Sequence, residues 1–162
     1  MAKVTQHLWF ESDMEGALAL YTSLIPGSSV EWRSALPADS PSGPAGSVKM
    51  AGFRIGDQRY QAMECPQIAP FTYSFSIMVE CEDQAEIDRL WTGLGEGGQH
   101  QPCGWVRDRW GLEWQIAPRR MRDWIMDPDR ARAGRVAEAM LKMGKIDIAT
   151  LEAAAAADPT QA

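Results

Sequence analysis

The sequence predicts an α+β fold: two copies of a strand–helix–strands module followed by a helical extension. Three observations carry this expectation. An apolar stripe at helical spacing, Ala17, Leu20, Tyr21 and Leu24, returns 70 residues later as Ile87, Leu90, Trp91 and Leu94. Each stripe sits between segments whose apolar residues alternate with a period of two, the signature of half-buried strands. After Pro118 the alternation stops and helical spacing takes over. A duplication of this size implies two similar modules. The expected organisation is one domain over residues 1–118, with module one at 1–68 and module two at 69–118, followed by helices over 119–157 that pack on the sheet or on a dimer partner.

The first module opens with a strand over Val4 to Phe10. Val4, Gln6, Leu8 and Phe10 share one face; Thr5, His7 and Trp9 share the other. Ser12 to Glu15 has the form of a capping box, in which a short polar side chain and an acid three residues on satisfy exposed donors at a helix start. Pro26 and Gly27 stop that helix. A strand over Ser29 to Leu36 follows. Residues 37–46 hold too many Pro, Gly and Ser for regular structure and read as a mobile loop, either a lid or solvent-facing slack. Strands over Ser47 to Ile55 and Gln58 to Glu64 are joined by a tight turn at Gly56 and Asp57.

The second module repeats the scheme. A strand runs from Thr72 to Val79, Asp83 to Glu86 forms a second capping box, and Gly97 with Gly98 ends the helix. Cys103 to Pro118 then reads as a hairpin. Asp108 opens its turn and Gly111 closes it. Leu112, Trp114 and Ile116 alternate with Glu113, Gln115 and Ala117, and Pro118, which cannot donate to a ladder, ends the sheet. Gln115 projects from the face opposite Trp114, either as part of a well-packed final strand or looking into a ligand cavity. In the extension, Asp127 or Asp129 starts a helix with Ala133, Val136, Met140 and Met143 at three-four spacing. Asp147 caps another, where Ile146 and Leu151 are placed as a hydrophobic staple.

Composition narrows the function. The 162 residues carry a net charge of −6, which argues against a general binder of nucleic acid or of anionic membranes. No apolar run reaches the length of a membrane span, and the first residues lack the apolar core of a signal peptide, so a cytoplasmic location is the default expectation. Cys65, Cys81 and Cys103 are widely spaced and read as free thiols. With His7 and His100 the only histidines, one subunit cannot build a site from three. Residues 93–98 match the spacing of a nucleotide-binding glycine loop. Such a loop follows a strand and opens a helix, whereas these glycines follow a helix, so they read as a helix end.

The chain resembles the PhnB-like family, also labelled the 3-demethylubiquinone-9 3-methyltransferase-type domain, of the vicinal oxygen chelate superfamily that includes glyoxalase I, bleomycin resistance proteins and extradiol dioxygenases. The resemblance rests on Leu8 to Phe10 with Leu20 and Tyr21, on Cys81 to Trp91, and on Cys103 to Trp105. Trp110 with Gly111, Trp114 to Pro118, Ala139 to Met143 and Lys145 to Ile148 extend it. It implies paired βαβββ modules and a homodimer. The superfamily's chemistry uses a divalent metal held by four inward side chains, usually His and Glu. Matched onto this chain, those positions fall on Gln6, on Ala62 or Met63, on Ser74 or Ser76, and on Gln115. Neutral amides and hydroxyls compensate a dication poorly, so no metal and no other cofactor is expected.

The expected function is therefore binding of a small organic molecule in a metal-free cavity lined by Gln6, Leu8, Ser74, Ser76, Trp105 and Gln115. The alternative is an enzyme: a metal-dependent lyase or isomerase using Glu64 and His7, a thiol-dependent one using Cys103 activated by Arg107 or His100, or, by family label, a methyltransferase. A third reading makes the tail an assembly surface through Met140 and Met143.

Overall fold

The computed structural model describes residues 4–66 and 69–157, and the chain divides into two compact units, residues 1–70 and 71–162. In the first unit, β1 (Gln6–Phe10), α1 (Met14–Leu24), β2 (Ser29–Ala35), β3 (Lys49–Ile55) and β4 (Gln58–Glu64) follow one another. The second unit runs β5 (Ser76–Cys81), α2 (Gln84–Gly95), β6 (Gln99–His100), β7 (Trp105–Arg107) and β8 (Glu113–Pro118). It then continues into α3 (Met121–Ile125), α4 (Arg130–Leu141) and α5 (Ile148–Ala156). Each unit thus contains one βαβββ module, and the two sheets share a topology: β1-β4-β3-β2 and β5-β8-β7-β6. In both, the strand before the helix pairs in parallel with the last strand of the module, and the remaining neighbours are antiparallel.

Register decides which side chains share a face. In the first sheet Leu8 pairs with Ala62, and Ala62 with Ala51; Phe53 pairs with Tyr60. These five are at most 5% exposed and form the core with Ala17, Leu18 and Tyr21 of α1. The opposite face carries His7, Trp9, Gln61, Met63 and Met50. These are exposed or half-buried. The α1 stripe is turned relative to expectation: Met14, Ala17, Leu18 and Tyr21 are buried, while Leu20 and Leu24 are half-buried. The expected capping box also fails. Asp13 is the N-cap, in the left-handed region at φ 55°, and its side chain caps nothing.

Residues 37–46 are better tied than a mobile loop would be. Ser40 and Gly43 exchange two backbone hydrogen bonds, Asp39 accepts from the Ala45 N–H, and Gly46 N–H donates to the Leu36 carbonyl. The loop lacks long regular structure but closes on itself.

In the second unit the Asp83 half of the capping box forms, Asp83 accepting from the Glu86 N–H at 2.8 Å, while Glu86 accepts from the Glu82 N–H, one residue before the cap. Ile87, Leu90 and Leu94 are fully buried, and Trp91 stacks on His100 at 4.5 Å. Gly97 takes φ 72° just past the helix, so the glycine-rich tract is indeed a helix end. The strand expected from Thr72 starts only at Ser76, because Tyr73 and Ser74 form a turn.

The tail folds with this unit. Asp129 caps α4, Asp147 caps α5, and Ile146 and Leu151 are both buried, as a staple requires. The short α3 was not foreseen. Cys103 and Gly104, in a 3-10 turn, donate their N–H groups to the carbonyls of Met143 and Gly144. A Cβ on Gly104 would sit 2.4 Å from the Ile116 carbonyl oxygen, so only glycine admits this approach. Gln84 completes the docking, donating to the Ile146 carbonyl and accepting from the Ile148 N–H.

Candidate ligand-binding site

The hairpin from β7 to β8 builds the site, and its turn is held by one side chain. Asp108 is 2% exposed. Its carboxylate accepts from the Trp110 and Leu112 N–H groups and from the Trp114 indole, at 2.9 to 3.0 Å. Trp114 is thereby locked into the core, and the strand's period of two sends Glu113, Gln115 and Ala117 to the other face.

That face collects polar and aromatic groups. Trp105 is the register partner of Gln115, and Ser76 of Glu113. Gln115 Nε2 donates to Ser76 Oγ at 2.9 Å, which leaves the Ser76 hydroxyl proton and the Gln115 carbonyl oxygen to meet a ligand. Beside them, Arg107 Nε donates to Glu113 Oε1 at 2.6 Å, and Gln101 Nε2 donates to Glu113 Oε2 at 3.1 Å. Glu113 is fully buried. Tyr73 Oη donates to Gln101 Oε1 at 2.7 Å, its ring lies under the Arg107 guanidinium at 5.0 Å, and it meets Trp105 at 6.1 Å. Arg107 keeps 37% of its side chain exposed, so its terminal nitrogens stay near solvent while Nε is engaged.

Of the residues expected to line a cavity, Ser76, Trp105 and Gln115 come together on this face. Ser74 is exposed in the preceding turn, where its N–H donates to Thr72 Oγ1. Leu8 is 2% exposed and belongs to the first unit's core, so it offers a ligand no surface there. Gln6 is exposed at the start of β1, on the parity of Leu8. His7, of the other parity, is exposed on the face away from the core. The face bearing Leu8 and Phe10 is the one turned into the core with α1, and the expected parity of β1 holds.

Tyr73, Gln101, Arg107 and Glu113 were missing from the expected lining. Glu113 had a readable signal: it lies two residues before Gln115, hence on the same face, and it is a charge between two core residues. Gln101 reaches it across 12 positions, and Tyr73 reaches Gln101 across 28, which no spacing rule reveals.

The donor set does not fit a divalent metal. Among the described residues, no group of three or more His, Cys, Asp or Glu side chains is placed to hold one. Ala62, one of the projected ligand positions, is buried and has no donor atom. Glu64 and His7 lie on opposite faces of the β1–β4 pair, since Glu64 pairs with Phe10 and His7 with Gln61. The two activators expected for Cys103 each have a partner. Arg107 is engaged by Glu113, and His100 stacks on Trp91 with Nε2 at the Trp91 carbonyl.

Two βαβββ modules of this topology define the vicinal oxygen chelate class of fold. The family model described as 3-demethylubiquinone-9 3-methyltransferase matches residues 2–117, and the chain belongs to that PhnB-like family. Among solved structures it is similar to a PhnB protein from Bacillus cereus, at 26% identity and a TM-score of 0.64, over 72% of this chain and 99% of that one. A protein from Pseudomonas aeruginosa matches at 22% identity and a TM-score of 0.56, over 73% and 98%. The fosfomycin resistance protein FosX from Mesorhizobium loti matches at 17% and 0.50, over 72% and 92%; these last two establish the fold alone. No curated protein matches the chain. No helix among the described residues is long and apolar enough to cross a membrane.

Proposed function

We propose that this protein binds a small organic molecule, without a metal, on the β7–β8 face that carries Ser76, Trp105 and Gln115, and that it does so as a homodimer. The observation that supports this reading is the pre-set polar pair of Gln115 and Ser76 beside the half-buried Trp105 ring. Ligand sites commonly combine such an aromatic wall with a few fixed polar groups. The ligand best matched is planar or partly aromatic, with an acceptor for the Ser76 hydroxyl and a donor for the Gln115 carbonyl. Arg107, steadied through Glu113, adds a cation at the edge for a negative or strongly polar substituent. The family label names a methyltransferase, but the glycine tract with the spacing of a nucleotide-binding loop closes α2.

Native mass spectrometry of freshly purified protein, compared with its denatured mass, tests the reading. A dimer carrying an organic mass that disappears in Trp105→Ala and Gln115→Leu variants supports it. A retained mass indifferent to both substitutions would move the site elsewhere, and a bound metal ion per subunit would sink the metal-free reading.

A further inference from the structure

The first unit holds a second feature, independent of the face just described. Arg54 in β3 and Arg59 in β4 are direct register partners. Two like charges opposite each other on one sheet face repel, so the pairing needs compensation. Arg59 has a loose partner, with its Nε 3.7 Å from Glu31 Oε1. Arg54 does not. Its Nε is buried and finds no acceptor among the described residues. A buried guanidinium N–H without an acceptor is costly, because it has given up water and gained nothing.

Both arginines line a cleft of about 550 Å³ at the β3–β4 turn end of the sheet, together with Val4, Gln6, Asp57 and Gln58. The one acid among these lining residues, Asp57, accepts from Gln58 Nε2 with Oδ1 at 3.3 Å and keeps its charge, so the two arginines leave the wall with a net positive charge. The cleft therefore presents the Arg54 guanidinium, with no ion-pair partner among the described residues, and Arg59 beside it, with Gln6 on the rim. We propose that this cleft is an oxyanion site, taking a carboxylate or phosphate group between Arg54 and Arg59. An anion there would meet the terminal nitrogens of the two guanidinium groups and offset the cross-strand repulsion. A guanidinium fork matches either group's oxygens in a bidentate manner.

The Arg54 Nε–H resonance reports an anion bound to the same guanidinium. The full-length, nitrogen-15-labelled protein would be titrated with inorganic phosphate, with acetate, and with chloride at matched ionic strength. The expected result is a saturable shift of the Arg54 Nε–H signal with phosphate or acetate and none with chloride. Phosphate alone acting would identify a phosphoryl group, acetate alone a carboxylate. An Arg59→Gln variant is expected to weaken the apparent affinity about tenfold, the loss of one charge-assisted hydrogen bond, while Arg33→Gln, on β2, leaves it unchanged. An Arg54 signal unmoved by both oxyanions, or moved equally by chloride, overturns the proposal. If Arg59→Gln does not fold, the wild-type comparison of oxyanion with chloride decides alone.

Discussion

The Glu64 carboxylate, at the end of β4, accepts the backbone N–H of Met14, the first residue of α1, at 2.7 Å across 50 positions of sequence. It takes over the role that the local capping box does not fill, and it holds the Lys49 ammonium with its other oxygen. Burial pushes the Glu64 carboxyl up, but the Lys49 and Met14 hydrogen bonds outweigh it and hold the group below the ordinary value of 4.5.

Replacing Glu64 with Ala is therefore expected to cost about 1 kcal/mol, the usual worth of a helix N-cap, measured by urea unfolding. A depressed folded-state pKa stabilises above the unfolded value and loses that contribution as pH falls through the folded one. The stability gap between wild type and Glu64→Gln should be full at neutral pH and shrink below the ordinary carboxyl range. A gap that stays constant through acid titration would show that Glu64 acts only by packing.

Asp108 gathers three donors in a site with almost no water. An Asp108→Ala variant strands two backbone N–H groups and the Trp114 indole, and is expected to lose roughly 3 kcal/mol. Asp108→Asn keeps one acceptor oxygen and should lose less. Near-ultraviolet circular dichroism would show the tryptophan environment loosening in step with the stability. Equal losses for both variants would argue that the charge, rather than the acceptor count, matters.

Glu113 is a fully buried acid whose cation partner is partly open to solvent. Arg107→Ala leaves that acid unpaired and should destabilise by roughly 2 kcal/mol, below the cost for a wholly buried pair because water reaches the guanidinium side. The double variant Arg107→Met with Glu113→Leu removes both charges and should recover much of the loss. Chemical denaturation of the three proteins decides it; additive losses would mean that the two residues do not act as a pair.

The three cysteines should differ sharply in reactivity. Cys81 is fully buried, and burial pushes its thiol up to about 12. Cys65 is 5% exposed, while Cys103 is partly open in its turn. Brief treatment of native protein with iodoacetamide at neutral pH, followed by peptide mass mapping, should label Cys103 first and spare Cys81. Early labelling of Cys81 would mean that β5 opens more readily than its packing implies.

Local patterns were legible wherever local physics set them. The strand-then-helix order, the Asp83 cap with Glu86, the Asp108–Gly111 turn, the caps at Asp129 and Asp147, and the helix end at Gly97 all depend on residues a few positions apart. So did the alternation that placed Glu113 and Gln115 together and Trp114 opposite. The reading failed where the deciding partner was remote. Ser12 to Glu15 had the form of a cap, but Glu64 from the far strand supplied the acceptor. The stripe of α1 was turned because Leu18 and Met14, rather than Leu20 and Leu24, are buried in the core.

By itself, then, the sequence determined the duplicated βαβββ order, the internal parity of each strand and most of the caps and turns, because those follow from backbone periodicity and short-range hydrogen bonds. Only the tertiary structure decided which face of β1 the helix covers, and so placed Leu8 in the core and His7 outside it. It also joined Tyr73, Gln101, Arg107 and Glu113 into one chain of hydrogen bonds and ring contact, and left Arg54 Nε without an acceptor among the described residues. The reason is that a strand with apolar side chains on both faces specifies its alternation but not its orientation. Which face is buried, and which charges must pair, is settled only when remote elements compete for the same surface.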